Sequence, residues 1–226
     1  ITSPVNTLIN GTGGQPGMQA DANSNPGRNL NFQARSANSV RYTSPLTSPL
    51  AVDISYGFGE VPGHNSQGSV TSGAVGYLKP RNFYIGYAFQ IQKSGGAAYA
   101  GTSSPTSTPV AATPLTSTFQ ALVGSYNITP DLKIGGSFIL DKVNDTVSPK
   151  AKVYQVGATW DLPAASSSVL VSFARRTVND VSGYNQNAFT LGYNYNLSKR
   201  TSLYGRYARI SNAGSNFGWA AAGGTA

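Results

Sequence analysis

Phe189, Leu191, Tyr193, Tyr195 and Leu197 stand at strict spacing of two, with Thr190, Gly192, Asn194 and Asn196 between them. Successive strand side chains point to opposite faces, whereas a helix would scatter these five around its axis, so the spacing predicts a β-strand with one apolar face. After "SKR" the segment "TSLYGRYARIS" alternates again, and the two arms read as a hairpin. Something apolar must lie against one side of it and something wet against the other.

The pattern extends over most of the chain. Strands are predicted near 38–45, 51–59, 70–79, 82–93, 117–129, 131–144, 151–162, 166–179, 186–198 and 200–211, about ten in all. Residues 1–37, rich in Gly, Asn, Ser and Pro and with little periodicity, read as a long loop or an incomplete element ahead of them. The connections sort by length. "LKPRN", "ITPDLK", "DLPAASS" and "NLSKRT" are tight turns, while "EVPGHNSQG", the Ser/Thr/Pro-rich stretch after Lys93, "NDTVSPK" and "NDVSGYN" are longer polar loops. Up-and-down pairing puts every short connection at one end of the sheet and every long one at the other, as in transmembrane barrels.

Composition favours a membrane barrel over an ordinary core. Of 226 residues 39% are hydrophobic and 11% charged, with 26 glycines and 13 tyrosines, so the chain is polar without being charged. No apolar run approaches the roughly 18 residues of a membrane helix, which leaves the closed β-barrel as the other backbone arrangement that lipid tolerates. Alternation by itself also suits strands packed on a protein core, so a secreted β-sandwich or adhesin-like binding module stands as the alternative. Strand length separates the two, because these runs reach the roughly nine to eleven residues needed to cross a bilayer at a tilt.

Apolar sets at period two define the expected lipid face: Val52, Ile54, Tyr56 and Phe58; Phe83, Ile85, Tyr87, Phe89 and Ile91; Leu132, Ile134, Phe138 and Leu140; Tyr154, Val156, Ala158, Trp160 and Leu162. Tyr77, Tyr126, Trp160 and Tyr195 fall toward the short turns, and Phe58, Phe89, Tyr154, Phe173 and Phe189 toward the long loops. Two bands of rings fit two membrane interfaces, although aromatics also favour strands in general.

Charges follow the same phase. Lys93, Lys142, Lys152, Arg175 and Arg209 share parity with the apolar set and fall at the long-loop end, where a lipid-facing cation costs roughly 0 to 1 kcal/mol instead of the roughly 2 to 4 at mid-bilayer. They form an expected outward rim toward lipopolysaccharide phosphates, with plain snorkelling into water as the simpler reading. Arg41, Asp53, Lys133, Asp141, Arg176 and Arg206 have the opposite parity and are the expected pore-lining charges; a water-filled interior tolerates them and a dry one does not. Basic groups modestly outnumber acidic ones there, so a weak anion preference is expected.

Other function classes find little support. The net charge of +8 is scattered along alternating segments instead of forming a basic block, which argues against nucleic acid. There is no cysteine, and no His/Asp/Glu cluster has metal-ligand spacing, so no metal or other cofactor is expected. His64 is the sole histidine and sits in "VPGHNSQG", a solvated loop, so no enzyme constellation is visible.

Three stretches together, "NSVRYTSP" at Asn38 to Pro45, "YGFGE" at Tyr56 to Glu60 and "YNLSKRTSLYGRYARISN" at Tyr195 to Asn212, resemble the general-diffusion porins of Gram-negative bacteria. The similarity extends over most of residues 38–212. It implies an all-β, transmembrane antiparallel β-barrel of the outer membrane, sixteen-stranded and usually homotrimeric, through which small hydrophilic solutes and ions diffuse passively. On that comparison the ten strands look like the sixth to the fifteenth. Residues 1–37 look like the remainder of a third loop folded into the pore, and Arg41 matches the arginine of the family's "NSVRY" motif. The family's first five strands and its closing strand have no counterpart, so the chain is expected to be one partial barrel domain, residues 1–226, of a longer protein.

Overall fold

The structure, a computed structural model, describes residues 38–45, 49–59, 66–79, 82–93, 116–143, 150–179 and 185–212. Residues 1–37, His64, the Ser/Thr/Pro-rich stretch 94–115 and the Gly/Ala-rich tail 213–226 lie outside the described residues.

Alternating β-branched and aromatic residues form ten strands: β1 Ser39–Thr43, β2 Leu50–Gly57, β3 Val70–Lys79, β4 Phe83–Lys93, β5 Thr116–Asn127, β6 Leu132–Val143, β7 Ala151–Leu162, β8 Ser167–Val178, β9 Gln186–Asn196 and β10 Ser202–Asn212. They make a single antiparallel sheet in sequence order, β1 to β10, and β1 does not pair with β10. Among the described residues no second sheet faces it. From β4 to β10 each strand has 11 or 12 residues, enough to cross a bilayer at a tilt. Among the described residues no helix is long and apolar enough to do so.

The strand ends that flank 44–49, 80–82, 128–131, 163–166 and 197–201 lie at one end of the sheet, and those that flank 58–69, 94–115, 144–150 and 179–185 at the other. Backbone hydrogen bonds close the tight ones. Ile128 N donates to Leu132 O at 2.9 Å, and Leu197 N to Thr201 O at 2.9 Å. Between β7 and β8 a single 3-10 turn, Pro163–Ala165, begins on proline and ends on Ser166 in the left-handed region, φ 47°.

One face of the sheet is buried and the other exposed. Leu191 is 44% exposed and its neighbour Thr190 only 4%. The outer face carries Ile54, Ile85, Tyr87, Leu122, Tyr126, Tyr154, Val156, Trp160, Phe173, Phe189 and Tyr193, all exposed. Rings pair on it both across and along strands, with Phe138 and Tyr154 at 5.0 Å between centroids and Tyr56 edge-on to Phe58, also at 5.0 Å.

The inner face departs from expectation. Its middle is apolar and tightly packed: Ala88, Phe119, Ala121, Val123, Ile139, Val153, Ala174 and Val178 form one buried cluster, with Phe119 and Ile139 fully enclosed. Polar side chains surround this patch, among them Gln90, whose amide donates to Ser72 Oγ at 3.0 Å.

Close approach of β6 and β7 requires glycine at position 136, because a Cβ there would stand 2.6 Å from the Gln155 carbonyl oxygen. Gly205, on β10, has nothing within 4 Å of such an atom. Gly136→Ala is therefore expected to destabilise by about 1 to 3 kcal/mol, the range for overpacking, because backbone has to move. Gly205→Ala is expected to stay within about 0.5 kcal/mol of the parent. Urea midpoints of the full-length protein in detergent, read by tryptophan fluorescence, check the pair.

Candidate functional site: the inner wall and the outer rim

The strand register puts Arg41, Asp53, Lys133, Asp141, Arg176 and Arg206 on one face, the inner one. Their Cα partners are Ser55, Thr43 and Ala74, Asn127 and Thr159, Phe119 and Ala151, Val153 and Gln186, and Gly192, in that order. The face is shared, but the environments differ.

Arg41 and Asp53 are not opposite each other; they meet diagonally across β1 and β2. Arg41 Nε donates to Asp53 Oδ1 at 2.7 Å, and the Arg41 terminal NH2 group bonds Asp53 Oδ2, giving a two-pronged ion pair. Thr43 Oγ1 makes a longer contact to Asp53 Oδ1 at 3.4 Å. The side chains are 22% and 15% exposed, so the pair lies back against the wall. Forked geometry of this kind orients both groups and cancels their charge at a distance.

Asp141 is buried beside the apolar patch, next to Phe119, and the β8 register brings Arg176 to the same side. Arg176 Nε is buried with no hydrogen-bond partner among the described residues. Lys133 sits beside the tight turn 128–131, far along β6 from Asp141.

Arg206 is held differently. Its guanidinium donates to Tyr193 O at 3.0 Å, to Gly205 O at 2.9 Å and to Asn194 Oδ1 at 2.6 Å, and lies 5.3 Å from the Tyr204 ring centroid. Asn194 is itself oriented by a bond from Nδ2 to Ser168 Oγ at 3.2 Å. Gly192, directly opposite, gives the side chain its bed, since a Cβ there would stand 2.9 Å from Arg206 Cδ. Every acceptor in this set is neutral.

Lys93, Lys142, Lys152, Arg175 and Arg209 fall on the outer face at the long-loop end, opposite Thr116, Thr118, Leu140, Asn187 and Phe189. All are exposed except Lys152, which is half-buried. Sequence reasoning missed the inner apolar patch. The run Ala121–Leu122–Val123 in β5, apolar on both faces, carries the signal for it. Among the described residues no group of His, Cys, Asp or Glu could hold a metal ion.

A sheet of this build has known counterparts. The chain is similar to an anion-selective porin from Comamonas acidovorans, at 22% identity and a TM-score of 0.63, covering 88% of this chain and 55% of that one. It is also similar to OmpT, an outer membrane protein of Vibrio cholerae. A loop-deletion form of OmpT matches at 14% identity and a TM-score of 0.68, covering 94% of this chain and 68% of that one. The trimer form of in-vitro folded OmpT matches at 18% identity and a TM-score of 0.59, covering 79% and 55%. This chain thus spans little more than half the length of the anion-selective porin, and at these identities the likeness speaks for the fold. No curated protein matches the chain by sequence. A family model described as Gram-negative porin matches residues 3–215, and with it the chain belongs to the Gram-negative porin family of the outer membrane.

Proposed function

We propose that the chain forms part of the wall of a water-filled outer-membrane channel, in a homotrimer, through which small hydrophilic solutes and ions diffuse passively with a weak preference for anions. The observation that carries this reading is the opposition of the two faces. One presents exposed Ile, Leu, Val, Phe and Tyr along whole strands, as lipid requires, with its basic residues only at the rim, and the other carries charges of both signs along the strands. Asp53 and Asp141 offset part of the inward positive charge of Arg41, Lys133, Arg176 and Arg206, which supports a preference that is weak in size and anionic in sign.

Residues 1–37 are read as a segment folded into the channel. The inner apolar cluster around Phe119, Ile139 and Val153 supports this, because a wall bathed only in water has no reason to place large apolar side chains there. The outward rim of Lys93, Lys142, Lys152, Arg175 and Arg209 is read as a contact for lipopolysaccharide phosphates. Support comes from its position beside the longer loops, the external end of such barrels.

Full-length protein extracted from its native outer membrane is expected to insert into planar bilayers in steps of three. In a salt gradient it is expected to give a small reversal potential of anion sign. A cation-signed potential would overturn the preference, and absence of conductance would overturn the channel. Joint replacement of Lys93, Lys142 and Lys152 by Gln is expected to weaken lipopolysaccharide binding by about 1 kcal/mol for each charge removed. Undiminished lipopolysaccharide in the purified variant would leave snorkelling as the explanation of the rim.

A further inference from the structure

The inward charges differ in how much of their field survives at a distance. Arg41, the residue that matches the family motif, is neutralised by the two-pronged bond to Asp53, and the pair as a whole carries no net charge. Arg176 shares the inner face with the carboxylate of Asp141, two strands away. Arg206 stands midway along β10 and has no carboxylate within ion-pair reach among the described residues. Its partners are two backbone carbonyls, one amide oxygen and an aromatic face, all of which fix its direction without cancelling its charge.

Immobilisation adds to this. A flexible cation spreads its charge over many positions, whereas the Ser168–Asn194–Arg206 relay, the Tyr204 ring and the bed at Gly192 hold this guanidinium in one. Fixed, uncancelled charge on a pore wall is what biases the passage of small ions. From this we infer that Arg206, more than the motif residue Arg41, is a specificity-determining cation of the inner wall. Gly192, Asn194 and Tyr204 act as its positioning residues. The inference rests on the channel reading given above.

The test is the chloride-to-potassium permeability ratio of the full-length protein in a salt gradient, with folding of each variant confirmed by its heat-dependent shift on gels. Arg206→Gln is expected to lower the ratio roughly twofold, the scale of one unit charge acting across water at pore distances. Arg206→Lys, which keeps the charge and loses the fork, is expected to restore most of the ratio. Asp53→Asn is expected to raise it, because Arg41 is then no longer cancelled. An unchanged ratio in Arg206→Gln, or in Asp53→Asn, would overturn the inference while leaving the channel intact. So would an Arg206→Lys ratio as low as that of Arg206→Gln. Loss of conductance in the unsubstituted protein would instead remove the channel reading, and the inference with it.

Discussion

Hydrocarbon supplies no hydrogen-bond partner, so every backbone N–H and C=O within it must be met by protein. The unbroken antiparallel pairing from β1 to β10 answers that demand strand by strand. Once the ladder is imposed, the remaining features follow with little freedom. Strands must be long enough to cross, side chains must alternate between two solvents, and tight turns must alternate with longer loops. β1 and β10 each keep one edge without a partner among the described strands, and in lipid such an edge calls for a further strand.

The two faces obey different rules, and that difference explains what could be read in advance. A lipid face has to be apolar at nearly every position, so β9 announced itself through Phe189, Leu191, Tyr193 and Tyr195 alone. All ten strands lie close to the ranges that alternation suggests, because the lipid face leaves a strong and periodic mark. An inner face carries no such obligation. β5 places Phe119, Ala121 and Val123 inward while Leu122 points outward, and a strand apolar on both sides gives no phase to read.

Side-chain partners were hidden for another reason. Parity assigned Arg41 and Asp53 to one face, but their meeting depends on the diagonal offset between β1 and β2, which no alternation pattern encodes. Likewise the sequence shows Gly192 and Arg206 fourteen positions apart with nothing to join them. Only the register brings the glycine opposite the arginine and turns a missing side chain into the bed of a charged one. Charge counting along the strand therefore treats all inward arginines alike, and geometry separates the cancelled from the uncancelled.

The assignment of lipid to one face and water to the other is tested by solvent accessibility along a single strand. The chain has no cysteine, so single-cysteine substitutions at successive positions from Phe189 to Asn196 can each carry a spin label in the full-length protein reconstituted in bilayers. Collision rates with dissolved oxygen and with a water-soluble nickel complex are then measured at every site. The account predicts high oxygen access at 189, 191, 193 and 195, with the nickel complex favoured in opposite phase at 194 and 196. Low access to both reagents at the apolar positions would mean that this face is packed on protein, and would contradict the barrel wall described here.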